Sequence, residues 1–343
     1  MVPQDEDLGP RLERFLSARA HAPVRVIRVD RCTEGFSQEA FAIDAVIGVE
    51  PRALVVKREP AAGLLEPYDL EPEFRVLHAL SGDPLPSPPT PWFTRDREIL
   101  ERPFYVMERL PGDVTVPAAR ADGSAPFDDA TRAALGPQIV DALARLHAVD
   151  WRALGLEFLG APSPGTDAAE RAVARWDALI RRSDLPVEPA IAEALLWLKR
   201  NPPATGEITL VHGDYRLGNF LIDGARLSGI LDWELVHLGD PLEDVAWCCS
   251  PLWRAGTPWA SAVLPPEEFA TRYAAASGHT VDAARLRFYD VLTVVKMAAI
   301  MLIGIAAFRT GHIRDLRVAI FDHQLPFLRA LTGTLRGWLA GSF

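Results

Sequence analysis

Residues 210–232 read LVHGDYRLGNFLIDGARLSGILD, and three oxygen-bearing side chains stand in them at chemically suggestive spacing. Asp214 closes His212-Gly213-Asp214, Asn219 follows five positions later, and Asp232 thirteen positions after that. A carboxylate, a carboxamide and a second carboxylate thus issue from loops between short, very apolar segments. Phosphoryl transfer asks for such a set: one group to orient an attacking hydroxyl and take its proton, and two oxygen ligands to hold Mg²⁺ on ATP. A lone Asp in a loop is usually a cap or turn residue. The company of Asn219 and Asp232 is what makes Asp214 a candidate base. Metal-assisted hydrolysis by His212, Asp214, Asp232 and His237 is the competing use of the same segment. It leaves a second group of residues, near the amino terminus, without a purpose.

That second group begins with Lys57, at the end of the apolar run Leu54-Val55-Val56. A strand-end lysine is ordinarily solvated. Glu73, sixteen residues on in the first turns of a predicted helix, would instead hold the amine toward the α- and β-phosphates. Glu71 competes for this role and Glu66 does so more weakly; Glu73 is preferred because it precedes the apolar face begun by Phe74 and Leu77. The connection Thr33-Glu34-Gly35-Phe36-Ser37-Gln38 offers backbone N–H groups around Gly35 and Ser37 to a phosphate. With a single glycine it is also an ordinary hairpin loop. Met107-Glu108-Arg109-Leu110 lies at the crossover between lobes. Alone it reads as an edge strand leaving the sheet, and only in company with the other motifs do Glu108 and Leu110 become candidates to present backbone groups to adenine. Asp240, Glu243 and Asp244 open a helix, where capping and dipole matching explain Asp240. Asp244 is read as an anchor for the backbone of the catalytic loop.

The elements that must position these residues follow from pattern. Residues 24–29, 40–46 and 53–57 are short β-type runs, 71–81 has helical periodicity, and 91–94 and 104–110 read as further strands. Pro84, Pro86, Pro88, Pro89 and Pro91 impose an extended connection. Pro111-Gly112 ends the last strand, and the polar stretch 113–126 marks a boundary between lobes 1–111 and 112–343. Helical periodicity then dominates: 128–149, 167–182, 189–199, 241–250, 266–277, 281–308 and 315–339. The exception is 208–232, where Asp223-Gly224 signals a hairpin. The expected class is α+β: a small, mostly antiparallel β lobe with one helix, followed by a larger helical lobe carrying the catalytic hairpin.

Composition excludes several alternatives. At 343 residues the chain can bury two cores, and a net charge of −10 offers no basic excess for nucleic acid. Cys32, Cys248 and Cys249 lack C-x-x-C spacing, the amino terminus lacks a signal-peptide core, and a reducing cytoplasm is the expected compartment. Residues 291–308 are apolar enough to suggest a membrane span, but they carry Lys296 and have no second span beside them. A buried core helix is the expectation.

Taken together, these residues resemble the aminoglycoside phosphotransferase and choline kinase-like family. The resemblance runs through LVVKREP (54–60), EPEFRVLHAL (71–80), FYVMERLPG (104–112), LVHGDYRLGNFLID (210–223) and ILDWELVHLGDPLEDVAW (230–247), and covers roughly residues 24–340. It implies a protein-kinase-like fold and transfer of the ATP γ-phosphoryl group to a small-molecule hydroxyl. Matched by position, it implies Lys57 and Glu73 for the phosphates, Asp214 as base, and Asn219 and Asp232 for Mg²⁺. Gly213 replaces the Arg of H-R-D, and only seven residues separate Asp232 from Asp240, too few for a peptide-docking activation loop. GDYRLGNFLIDG and LSGILDWELVHLGDPLED look like the branch joined to acyl-CoA dehydrogenases, which implies a hydroxyacyl-CoA or related acid as acceptor; an aminoglycoside or other alcohol is the alternative. Arg309, His312, Arg314 and Arg317 offer cations to CoA phosphates, or simply complement a helix end. A kinase-like module that binds nucleotide or metabolite without transfer is the remaining alternative. Oligomeric state is not implied.

Overall fold

The computed structural model describes residues 8–32, 39–61, 68–116, 122–313 and 318. The chain divides into two compact units, Met1–Leu110 and Pro111–Phe343.

Unit 1 opens with α1 (Leu8–Ala20), which the expectation of a single helix in this unit omitted. Leu8, Leu12, Phe15 and Leu16 recur at helical spacing and are buried, so α1 forms by covering one face of a sheet. Pro10 falls in the first turn, where its missing N–H costs nothing. The sheet contains β1 (Val24–Cys32), β2 (Glu39–Ile47), β3 (Glu50–Arg58), β4 (Trp92–Thr94) and β5 (Phe104–Glu108) in the order β1-β2-β3-β5-β4, with every pairing antiparallel. Alternation decides the faces. Phe41, Ile43, Leu54, Val56, Phe104 and Val106 point into the core under α1, where Phe15 meets Phe104 edge to face at 4.9 Å. Lys57, one step from Val56, therefore leaves by the other face. A second helix, α2 (Glu71–Ala79), follows β3, and a single turn, α3 (Arg97–Leu100), is capped by the Asp96 carboxylate accepting from the Glu98 N–H.

Unit 2 is mainly helical: α4 (Asp129–His147), α5 (Asp167–Arg182), α6 (Pro189–Arg200), α7 (Leu242–Cys249), α8 (Pro266–Ser277) and α9 (Ala283–Arg309). Asp128 and Asp282 cap α4 and α9 through their side chains. Helix α9 is long and apolar enough to cross a membrane, yet most of its apolar window is buried, packed against α5, α6 and α7. Two small sheets carry the predicted hairpin region. Strand β6 (Asp113–Val114), inside the stretch expected to be an irregular boundary, joins β8 (Phe220–Asp223) and β9 (Arg226–Ile230) in the order β6-β8-β9. Strand β7 (Thr209–Val211) pairs antiparallel with β10 (His237–Gly239). The β8–β9 turn is Gly224-Ala225, one position later than expected, with φ +63° at Gly224. The helix expected at 315–339 lies outside the described residues.

Candidate active site

In unit 2 the short ladder β7–β10 delivers the candidate catalytic loop, and buried side chains fix its backbone. Gly213 has φ +79°, and a Cβ there would lie 2.6 Å from the Leu235 carbonyl oxygen, so only glycine fits beside that chain. This is the physical reason that no Arg stands between His212 and Asp214. Asp244, fully buried in α7, accepts from the N–H of His212 at 2.7 Å and of Gly213 at 2.9 Å. It is the loop anchor expected of it. His147 of α4 donates to the same carboxylate at 3.2 Å and receives the Tyr273 hydroxyl at 2.7 Å. Burial tends to raise the Asp244 pKa, but the hydrogen bonds from His147 and the loop bring it below the usual carboxylate range. Burial lowers the His147 pKa, keeping the ring neutral.

Asp214 is nearly buried and held by three donors. Its Oδ1 accepts from Trp247 Nε1 at 2.7 Å and Arg216 Nε at 2.9 Å, and its Oδ2 accepts from Asn219 Nδ2 at 2.6 Å. The same Asn219 nitrogen donates to the Asp214 backbone carbonyl at 2.9 Å, which turns the amide oxygen the other way. Asp232 follows Leu231, whose N–H reaches the Asn219 carbonyl at 2.8 Å and whose carbonyl accepts from His212 Nε2 at 3.0 Å. Asp232 itself has φ +65°, an uncommon conformation for a side-chain-bearing residue and one that Asp tolerates better than most. Asp214 and Asn219 are therefore in direct contact, and Asp232 is tied to them through its neighbour.

The hydrolase alternative fails on the same geometry. His212 spends Nδ1 on the Asp214 N–H and Nε2 on Leu231, while His237 spends its nitrogens on the Leu235 carbonyl and Glu243. Among the described residues no group of three or more His, Cys, Asp or Glu side chains could hold a metal. For Mg²⁺ the requirement differs: one amide oxygen and one carboxylate, with ATP oxygens and water completing the shell, suit a hard cation. Asn219 and Asp232 meet that donor chemistry.

In unit 1, Lys57 on β3 stands between Ala40 and Tyr105 in register, and its ammonium pairs with Glu73 at 2.7 Å, both side chains buried. Glu71 instead turns outward to Arg95 at 2.6 Å. Phe74 explains the division: stacked on Phe93 at 5.1 Å, it fixes the rotation of α2 that sends Glu73 under the sheet. Glu108 gives its N–H to the Pro89 carbonyl at 2.8 Å and its carboxylate to Arg52, so its predicted ligand role rests on the backbone carbonyl. Leu110 is the last residue of the unit. Gly35 and Ser37, like Glu66, Arg314 and Arg317, lie outside the described residues; Arg309 and His312 are exposed at the end of α9.

Arg216, His147 and Trp247 belong to the site without having been singled out from sequence. Lys296 had drawn notice only as a charge inside an apolar run; it donates to the Gly213 carbonyl.

This architecture is a protein-kinase-like fold. A Ralstonia eutropha protein assigned as an aminoglycoside phosphotransferase superposes with a TM-score of 0.74 at 22% identity, covering 96% of this chain and 97% of that one. Aminoglycoside phosphotransferase APH(4)-Ia, in ternary complex with ADP and hygromycin B, gives a TM-score of 0.58 at 19% identity, covering 96% and 98%. Residues 30–289 match the phosphotransferase enzyme family, and the chain belongs to it. Acyl-CoA dehydrogenase family member 10 of Mus musculus is 32% identical over 72% of this chain, and member 11 of Homo sapiens is 30% identical over 72%. The chain spans only 22% and 32% of the length of those two relatives.

Proposed function

We propose that the chain transfers the γ-phosphoryl group of ATP, with Mg²⁺, to a hydroxyl of a small molecule. The observation that carries this is the Asp214 carboxylate, aimed by Trp247, Arg216 and Asn219 while the Asn219 amide oxygen is left for a cation. Asp214 accepts the proton of the acceptor hydroxyl as its oxygen bonds to phosphorus and the bond to the β-phosphate oxygen breaks, yielding ADP and a phosphate ester. With a loose transition state, alignment matters more than early deprotonation, so a carboxylate held by three donors suffices. Asn219 and Asp232 would hold Mg²⁺, which when bound screens the charge on the β- and γ-phosphate oxygens. Lys57, oriented by Glu73, binds the α- and β-phosphates, and the Glu108 carbonyl and Leu110 backbone receive the adenine. The ADP-bound relative of the same fold supports nucleotide use. For the acceptor, the two dehydrogenase-family relatives favour a hydroxyacyl-CoA or related hydroxy acid over an amino sugar.

The test is ADP release from Mg-ATP across hydroxyacyl-CoAs, amino sugars, choline-like alcohols and macrolides, paired with thermal shift. The parent should turn over at least one class, and Asp214→Ala should lose roughly 10³-fold or more of that rate while keeping its Mg-ATP thermal shift. Stabilisation by Mg-ATP with no turnover on any class would make the protein a binding module. A hydroxyacyl-CoA panel without stimulation would remove that acceptor and leave the transferase open to the others.

A further inference from the structure

Of the 36 Lys and Arg residues only three are lysines: Lys57, Lys199 and Lys296. Lys199 is a surface residue paired with Asp177 at 2.6 Å. Lys296 lies in the middle of α9 with 2% of its surface exposed, flanked by buried Val294, Val295, Ala298 and Ala299. Its ammonium donates to the Gly213 carbonyl and stands 3.6 Å from Glu243 Oε1. It also sits 4.2 Å from the centre of the Trp247 ring and 5.3 Å from that of Trp176. A chain that uses arginine far more often than lysine keeps here a compact point charge, close over one indole and within reach of a second.

Gly213 is thereby gripped on both sides, its N–H by Asp244 of α7 and its carbonyl by Lys296 of α9. That carbonyl belongs to the peptide leading into Asp214. The indole under the ammonium is the one whose Nε1 donates to Asp214 Oδ1. Lys296 thus reaches Asp214 by two routes, one through the backbone and one through Trp247, without touching it.

We propose that Lys296 is a positioning residue for the reaction: its buried ammonium sets the Gly213–Asp214 peptide and the Trp247 ring that together aim the Asp214 carboxylate. This rests on the phosphoryl-transfer reading above. The competing role is a counter-charge for Glu243 alone, in which case the catalytic loop would be indifferent to it.

Three lysines make a direct test practical. Protein labelled at lysine ¹³Cε should give three lysine signals, with that of Lys296 identified by its loss in Lys296→Met. Asp214→Asn should move the Lys296 signal and leave that of Lys199 in place; an unmoved Lys296 signal overturns the proposal. In kinetics, with whichever acceptor the screen above turns over or with Mg-ATP hydrolysis to water, Lys296→Met should lower kcat by roughly 30- to 100-fold with KM for ATP within about twofold. Lys296→Arg should recover only part of the loss, and Lys199→Met should match the parent. A folded Lys296→Met with unchanged kcat, or one whose loss lies wholly in KM for ATP, also overturns it. Should Lys296→Met not fold, the signal is identified by elimination with Lys57→Met and Lys199→Met, and the response to Asp214→Asn decides. A parent without turnover would sink the transferase reading, while the labelled spectra would still decide whether Lys296 is linked to Asp214.

Discussion

Replacing Asp244 by alanine isolates the device that holds the catalytic loop. Its carboxylate is fully buried and accepts three hydrogen bonds, from the His212 N–H at 2.7 Å, the Gly213 N–H at 2.9 Å and His147 Nε2 at 3.2 Å. Deleting it leaves three buried donors without an acceptor, at about 1–3 kcal/mol each. Part of that is offset because a charge no longer has to be buried, so the net cost should be near the ~3–5 kcal/mol typical of breaking one side of a buried pair. At about 2–4 °C per kcal/mol for a unit of this size, the melting temperature should fall by roughly 10 °C. Turnover should drop about 100-fold, since a shift of ~1 Å in a catalytic group costs that much. Asp244→Asn retains one oxygen acceptor but turns an NH₂ toward another donor, and should fall between. The acid limb of stability carries a matching signature. Asp244 is depressed below 3.8, so its contribution is full above that value and lost as pH falls through its lowered pKa. His147, lowered from 6.5 by burial, adds a loss of stability as pH falls below 6.5, because the unfolded chain takes the proton first. Differential scanning fluorimetry from about pH 2 to 8 and the ADP-release assay measure both effects. An Asp244→Ala protein melting within about 2 °C of the parent and turning over within about threefold would refute the reasoning, and would mean that β7–β10 pairing and the Lys296 contact hold the loop without it.

Other perturbations read different parts of the structure. Gly213→Ala forces a side chain into a positive-φ site 2.6 Å from a carbonyl oxygen and should cost at least ~2 kcal/mol in denaturant unfolding; a neutral result would mean the backbone can relax there. Lys57→Met removes the ammonium paired with buried Glu73 and should lower stability by ~3–5 kcal/mol as well as abolish the Mg-ATP thermal shift. Lys57→Met with Glu73→Gln should recover stability but not nucleotide binding, and recovery of both would remove Lys57 from the site. Asp290 of α9 is pushed up to about 7 by burial, against the opposing pull of Arg254 and Arg287. The folded state therefore holds a proton that the unfolded chain has released, and stability is lost as pH rises from 3.8 through about 7. Asp290→Asn should flatten the melting temperature over that window and raise it at pH 8; an unchanged profile would show that Asp290 ionises freely in the fold.

What could be read from sequence was what depends on local pattern. The period-3.6 stripe located α5 and α8 at 167–182 and 266–277, and the spacing of Asp214, Asn219 and Asp232 identified a loop whose first two members are now in hydrogen-bond contact. The choice of Glu73 over Glu71 succeeded because helical phase distinguishes residues two apart, which lie on different sides of α2. Helix α1 was overlooked because Gly9 and Pro10 suggest irregular chain, although Leu12, Phe15 and Leu16 carry the stripe. The supports of Asp214 were illegible for another reason. Trp247 is 33 residues from the Asp214 it orients, and Lys296 is 83 from the Gly213 it binds. No local rule links such pairs, and a Trp or Lys in an apolar helix carries many meanings. The usable signal was energetic: a lone ammonium amid apolar residues must be satisfied by something, and here it is met by the Gly213 carbonyl and Glu243.

The segment after Asp232 bears on acceptor size more directly than the residue count suggested. Seven residues separate Asp232 from Asp240, and none is left over for a flexible loop. Trp233 returns its indole N–H to Ile230 at 2.9 Å, Leu235 walls in Gly213, and 237–239 form β10 against β7. Asp240 then accepts the Leu242 N–H at 2.9 Å and starts α7, the helix that carries Asp244 and Trp247. The stretch is consumed in bracing the loop that precedes it, so it cannot also present a surface for an extended peptide. On the proposed transfer, the acceptor would be selected by side chains outside residues 233–240. Exchanging residues 233–240 should change kcat by displacing Asp214 and leave the ranking of acceptors untouched; a variant there that switched acceptors at unchanged kcat would defeat this division of labour.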